Sequence, residues 1–249
     1  MAIVLKSPQE IESMRRAGRV LAELLQVLKK ELNAGMKTRD LDRITARELK
    51  RLGAKPSFLG YRGFPAHLCV SVNEEIVHGI PGERVIREGD IVSLDVGAIV
   101  GGFQGDAAIT VGVGRVSPEA GELMSAAEGA LKAGIAAARK GNRIGDMSSA
   151  IQRYAEAKGF SVVREYTGHG IGREMHEDPQ IPNFGTHGEG MELVEGMTMA
   201  LEPMVNQGTW RTRVAENHWT VVTADGKLSA HFEHTIAITN GEPDILTVL

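Results

Sequence analysis

The sequence predicts a mixed α/β (α+β) protein made of two related halves within one domain, residues 1–249, with halves of roughly 1–115 and 116–249. Three observations predict it. A helix-opening Ser-Pro pair occurs at Ser7-Pro8 and again at Ser117-Pro118, and each begins a two-helix stretch that closes at a glycine, Gly53 and Gly159. After each helix pair, strand-like runs repeat in the same order: Glu88–Asp95 matches Glu195–Glu202 at an offset of 107, and Asp106–Val111 matches Glu233–Ile238 at an offset of 127. An acid marks the corresponding place in all four runs, at Asp95, Asp106, Glu202 and Glu233. Coincidence between short hydrophobic strands is the plain alternative, and it leaves those four acids unexplained.

The chain opens on an extended piece, Ile3-Val4-Leu5. Ser7 reads as an N-cap, Pro8 as the first helical residue and Glu10 as the return half of a capping box. Ile11, Met14, Leu21, Leu24, Leu25 and Leu28 follow helical spacing, and Gly35 reads as the stop. A second helix opens near Thr38, presents Leu41, Ile44 and Leu49, and stops at Gly53. Residues 54–75 read as loop and short strands. The runs 91–100 and 106–113 read as strands joined around Gly101-Gly102. Ser117 opens a third helix that runs to Gly141, and a fourth covers roughly 146–158. Strand-like segments follow near 160–166, 191–206 and 219–239.

Composition excludes several classes. A net charge of −4 gives no global pull toward nucleic acid or a membrane surface. One cysteine, Cys69, excludes intramolecular disulfides and cysteine-rich zinc sites, and agrees with a reducing compartment. No apolar run approaches the ~20 residues of a membrane span, and residues 1–30 lack a signal-peptide pattern. Aromatics are only 4%, so the core must be mainly aliphatic.

The four acids are the first chemical signal. A carboxylate inside an apolar run is costly to bury unpaired. For a single acid, an exposed strand end or a Lys or Arg partner explains it; four at paired positions need another cause. If Gly101-Gly102 is a two-residue turn, facing residues sum to 203, and Asp106 faces residue 97. Residues 95 and 97 share a strand face, so Asp95 and Asp106 sit diagonally within reach of one ion. A bulge would spoil that register. Divalent metals relieve the repulsion among converging carboxylates.

The second signal is the segment Thr167-Gly168-His169-Gly170-Ile171-Gly172-Arg173-Glu174-Met175-His176-Glu177-Asp178-Pro179. Its glycines argue against a helix and for a tight loop or strand bend. His78, in Val72-Asn73-Glu74-Glu75-Ile76-Val77-His78-Gly79-Ile80-Pro81, is a third candidate histidine. Each histidine alone is more often a surface or hydrogen-bonded residue than a ligand. Together, SVNEEIVHGIP (71–81), SLDVGAIVGGFQGDAA (93–108), TGHGIGREMHEDPQIPN (167–183), ALEPM (200–204) and HFEHT (231–235) resemble the methionine aminopeptidases over nearly the whole chain.

That resemblance implies a pita-bread fold, two pseudo-symmetric halves with antiparallel sheets around a central dinuclear metal site and helices outside. It implies Asp95, Asp106, His169, Glu202 and Glu233 as metal ligands, with Asp106 and Glu233 bridging. A mostly oxygen set with one imidazole suits two divalent ions from among Mn, Fe(II), Co and Zn. The implied activity is removal of N-terminal methionine ahead of a small second residue, by a water activated between the metals. Glu202 is then the proton shuttle, His176 the hydrogen-bond donor to the oxyanion, and His78 the contact to the scissile amide. The implied methionine pocket takes Tyr61, Phe64, Cys69, Met175, Trp219 and Phe58; ordinary core packing is their plainer reading. Met175 departs from the aromatic that many relatives place before the second histidine, and Phe64 from a frequent tyrosine. Cys69 reads as a pocket wall, since its motif offers no Cys–His–acid arrangement. His231 and His234 flank Glu233 and are candidates to lie around it; His67, His187 and His218 receive no role.

Only 31 residues separate Glu202 from Glu233, which leaves no room for the helical insertion of type II relatives. The chain is therefore expected to be the minimal bacterial type I form, cytoplasmic and monomeric. It would act on nascent polypeptide N-termini, with the ribosome a candidate partner and no direct nucleic-acid or membrane binding. Its own Met1-Ala2 start fits that specificity. An X-Pro-specific peptidase of the same fold is the first alternative, and a non-catalytic binding protein of that fold the second.

Overall fold

The computed structural model describes residues 3–249, so the Met1-Ala2 expectation lies outside the described residues. Four α-helices occur among the described residues, α1 (Pro8–Glu31), α2 (Thr38–Arg51), α3 (Pro118–Ala137) and α4 (Ile144–Ala157). The capping box of α1 forms: the Glu10 N–H donates to Ser7 Oγ, and the Ser7 N–H donates to the Glu10 carboxylate at 3.0 Å. Ser117 caps α3 through the Ala120 N–H. The second helix of each half opens alike. The Lys37 N–H donates to Asp40 at 3.0 Å, and the Arg143 N–H donates to Asp146 at 2.7 Å.

The expected helix ends move. α1 stops at Glu31 rather than Gly35, and α3 at Ala137 rather than Gly141. The two glycines instead make the turns beyond, at φ +92° and +88°. The fourth helix begins two residues earlier than its spacing suggests, at Ile144. Strand segments shrink as well. Only Ser161–Val162 is extended in 160–166, and 191–206 resolves into Thr198–Leu201 and Met204–Asn206 with Pro203 between them. The glycine-rich segment is a strand, Thr167–Gly170, followed by Glu177–Pro182.

The strands form one nine-stranded sheet and two three-stranded sheets. The main path across the large sheet is Lys55–Pro56, Ile91–Val100, Phe103–Gly112, Glu233–Ala237, Thr198–Leu201, Thr167–Gly170 and Glu177–Pro182, and the two remaining strands, Leu68–Val72 and Asp244–Ile245, pair with Ile91–Val100 and Glu233–Ala237. Every pair along that order is antiparallel. The centre of the sheet is where the repeat meets itself. Phe103–Gly112, from the first half, pairs with its repeat mate Glu233–Ala237, from the second, and the other matched pair, Ile91–Val100 and Thr198–Leu201, lies just outside. This is the pita-bread arrangement.

The Ile91–Val100/Phe103–Gly112 hairpin runs without a bulge through Val100↔Phe103, with Gly101 and Gly102 at φ +60° and +81°. Gly97 faces Asp106 and Asp95 faces Ala108, the register the turn predicts. Helices cover the sheet: Leu21, Leu24 and Leu28 of α1 share a core with Leu94 and Val96, and Leu131 and Ile135 of α3 share one with Met199, Leu201 and Ile236. The core is mainly aliphatic, as the scarcity of aromatics requires.

Candidate metal centre and substrate cavity

The sheet register builds the site. One row across the strands reads Cys69, Asp95, Ala108 and Glu233. Continued one residue past the strand end, it reaches Glu202. The neighbouring row on the same face reads Gly97, Asp106, Thr235, Ala200 and His169, with Thr235 Oγ1 donating to the Asp106 carbonyl oxygen at 2.8 Å. The five predicted ligands therefore occupy two adjacent rows of one face, and the positions between them are small. Alanines at 108 and 200 leave space that larger side chains would fill.

The resulting geometry is tight. Asp106, His169 and Glu233 each bring a ligand atom within 4.8 Å of the others. His169 Nε2 lies 3.6 Å from Glu202 Oε1 and 3.8 Å from Asp106 Oδ2. His169 Nδ1 donates to the Gly170 carbonyl at 2.9 Å, which leaves the Nε2 lone pair facing the carboxylates. Burial lowers the His169 pKa to about 3, so this imidazole is neutral and ready to ligate.

The carboxylates have the opposite problem. Asp95 Oδ1, Asp106 Oδ1 and Glu233 Oε1 are buried without a hydrogen-bond partner. Burial raises Asp95 to about 7, and burial followed by mutual repulsion raises Asp106, Glu202 and Glu233 well above the usual range. Four acids that face one another, three of them with an orphaned oxygen, and one neutral imidazole fit divalent cations.

A cavity of about 140 Å³ opens onto this floor, room for one side chain, since about 150 Å³ holds a benzene. All thirteen sequence-predicted site residues line it, namely the five ligands with His78, His176, Phe58, Tyr61, Phe64, Cys69, Met175 and Trp219. Phe64 stands edge-on to both Trp219, at 5.2 Å, and Phe58, at 6.5 Å. Burial and the adjacent Asp95 push the Cys69 thiol well above its ordinary pKa. It stays protonated, a wall and not a nucleophile. His78, at φ +60°, projects from a left-handed turn, and burial lowers its pKa to about 4. His176 packs on His169 at 4.1 Å between ring centroids.

Among the flanking histidines the strand's period of two decides. His231 Nε2 lies 3.8 Å from Glu202 and 3.9 Å from Glu233, with both ring nitrogens unpartnered. His234 is corrected: it alternates to the opposite face and meets Thr247 Oγ1 at 2.8 Å, away from the cavity. His67 pairs with Asp42 and His187 with Asp146 on the surface. Arg62, which also lines the cavity, was missed by the sequence reading. Its only local signal is a position between Tyr61 and Gly63, and its backbone is left-handed, at φ +49°.

The model of metallopeptidase family M24 matches residues 12–240. The chain is 51% identical over 247 residues to the methionine aminopeptidase of Clostridium perfringens, covering 99% of each. It is 51% identical over 245 residues to methionine aminopeptidase 1 of Bacillus subtilis, covering 98% of this chain and 99% of that one. Its fold superposes on a methionine aminopeptidase structure from Thermotoga maritima with a TM-score of 0.98, 48% identity and full coverage of both chains. A prolidase structure from Pyrococcus furiosus shares the fold at a TM-score of 0.80 and 22% identity, with 99% of this chain and 66% of that one covered.

Proposed function

Because the chain belongs to metallopeptidase family M24, we propose that it removes N-terminal methionine from proteins and peptides, with a preference for a small second residue. The observation behind this reading is the join of an acidic floor to an apolar blind cavity that takes one side chain. A chain end supplies both complements, a cationic α-amine for the floor and a flexible thioether for the aromatic wall.

Asp95, Asp106, His169, Glu202 and Glu233 would hold two divalent ions. Such ions polarise a carbonyl and make water nucleophilic at neutral pH. The remaining work belongs to side chains. Glu202, beside His169 and His231, takes a proton from the attacking water and passes it to the leaving amine nitrogen. His176 donates a hydrogen bond to the oxygen that gains charge. His78 contacts the scissile amide. Phe58, Tyr61, Phe64, Cys69, Met175 and Trp219 hold the methionine side chain. The preferred ion comes from Mn, Fe(II), Co and Zn.

We place the activity on nascent N-termini in the cytoplasm, with the chain a monomer and the ribosome a partner. No helix among the described residues is long and apolar enough to cross a membrane, which leaves that placement open to the enzyme. Residues 1–249 act as one domain in this reading, because the first half supplies Asp95 and Asp106 and the second supplies His169, Glu202 and Glu233 to one site. The test is hydrolysis of Met-Ala-Ser against an X-Pro peptide with each of the four metals. Turnover of Met-Ala-Ser alone supports the proposal; inert loaded protein, or selective cleavage of the X-Pro peptide, removes it.

A further inference from the structure

The loop Gly60–Phe64 does more than wall the cavity. Tyr61 Oη lies 2.9 Å from His176 Nδ1, and the two rings stack at 5.4 Å and 13°. The Arg62 guanidinium sits over the Tyr61 ring, 5.3 Å from its centroid. Among the described residues His176 makes no other side-chain hydrogen bond that would orient it, and its second face rests against His169. The loop itself is wound tightly: Gly60, Arg62 and Gly63 all have positive φ, and the Gly60 N–H donates to the Phe64 carbonyl at 2.8 Å.

We propose that Tyr61 is a positioning residue for His176: its hydroxyl donates to Nδ1, so the ring proton sits on Nε2 and that N–H serves the cavity. Two arguments fix the direction of this bond. A cation over the phenol face strengthens its O–H as a donor, whereas Arg62 has no acceptor of its own to offer. The opposite tautomer would turn an Nε2 lone pair toward a cavity that already holds four carboxylates, while an N–H there is electrostatically favoured. Stacking on Tyr61 holds the ring plane, and the hydrogen bond sets which nitrogen faces inward. Arg62 enters as the group that polarises Tyr61 rather than as a contact to His176.

The proposal rests on reading His176 as the donor to the oxyanion, and the two can fail separately. The experiment combines nitrogen-15 NMR of the histidine rings in metal-free, histidine-labelled protein with Met-Ala-Ser kinetics of the metal-loaded enzyme. In the wild type, His176 should show a protonated Nε2 and an unprotonated Nδ1. Tyr61→Phe keeps the ring and deletes only the hydroxyl. It should move the two nitrogens toward an averaged value and lower kcat roughly 3- to 10-fold, with KM within about twofold. Arg62→Gln should shift both readouts the same way, by less. A wild-type spectrum with the proton on Nδ1 overturns the proposal without any variant. So does a Tyr61→Phe protein whose spectrum and kcat are unchanged, or whose KM alone rises, which is the signature of a pocket wall. If the wild type turns over no peptide, the catalytic reading falls while the spectrum still decides the role of Tyr61.

Discussion

Stripped of metal, the protein should lose stability as the pH rises above about 7.5, the reverse of what ordinary acids do. Burial holds Asp95 at about 7 against an ordinary 3.8. Burial, then the neighbouring carboxylates, hold Asp106, Glu202 and Glu233 well above their ordinary values. A carboxyl raised in the fold keeps a proton that the unfolded chain has released. Its contribution is therefore full at low pH and is lost as the pH climbs from the unfolded value through the folded one. Each retained proton lowers stability by about 1.4 kcal/mol per pH unit. Buried histidines act in the opposite sense. His169 and His231 are lowered to about 3, and His78 and His234 to about 4, from 6.5. The unfolded chain binds their protons first, so between about 3 and 6.5 they raise stability with pH and offset the acids. Only about one pH unit above 6.5, once the unfolded chain has released its histidine protons as well, do the acids act alone. With at least one proton retained among three strongly raised carboxyls, the loss should be at least ~1.4 kcal/mol per pH unit. Urea midpoints in chelator at pH 7.5, 8.0, 8.5 and 9.0 measure it, and saturating Mn²⁺, which takes the place of the protons, should abolish the slope. Stability that is constant or rising across that range in chelator would refute the reasoning.

Glu202→Gln should keep the fold and bind peptide while lowering kcat by about 10²- to 10⁴-fold; near-normal turnover with metal bound removes Glu202 from proton transfer. Lys6 is buried and ion-pairs with Glu177, whose Oε1 accepts the Arg173 N–H at 2.9 Å, so this pair organises the loop that ends at His176. Lys6→Met leaves a nearly buried carboxylate without its cation and should cost about 3 kcal/mol in urea unfolding; a loss below about 1 kcal/mol would show that water reaches Glu177. A Cβ on Gly79 would lie 2.1 Å from the Val70 carbonyl oxygen, next to His78. Gly79→Ala should therefore cost about 2 kcal/mol and lower kcat/KM, and an equally stable, equally active variant would show that the turn has room.

Much of the site was legible in the sequence because strand geometry has so few freedoms. Gly101-Gly102 dictates a tight turn, and a tight turn dictates that Asp106 faces residue 97. The repeat then places Glu202 and Glu233 opposite. The helix caps at Ser7 and Ser117 were equally local, since each is decided within four residues. Helix ends were less so. Gly35 and Gly141 mark the chain reversal, but α1 and α3 each stop four residues earlier, at Glu31 and Ala137. His231 and His234 stand on equal terms in the sequence, and only the strand phase separates them.

What the sequence determined by itself is therefore the chemistry: the four acids, the neutral-imidazole candidate, the paired halves and the aliphatic core are properties of residue type and spacing. What only the tertiary structure decided is convergence. The central pairing of Phe103–Gly112 with Glu233–Ala237 joins segments more than a hundred residues apart, and no local rule sets that register. The Tyr61–His176 contact spans 115 residues and exists because an unrelated loop folds over the mouth of the site. Arg62 shows the same limit: an exposed arginine has no local signature, and its place at the cavity follows from where its loop folds against the distant site residues.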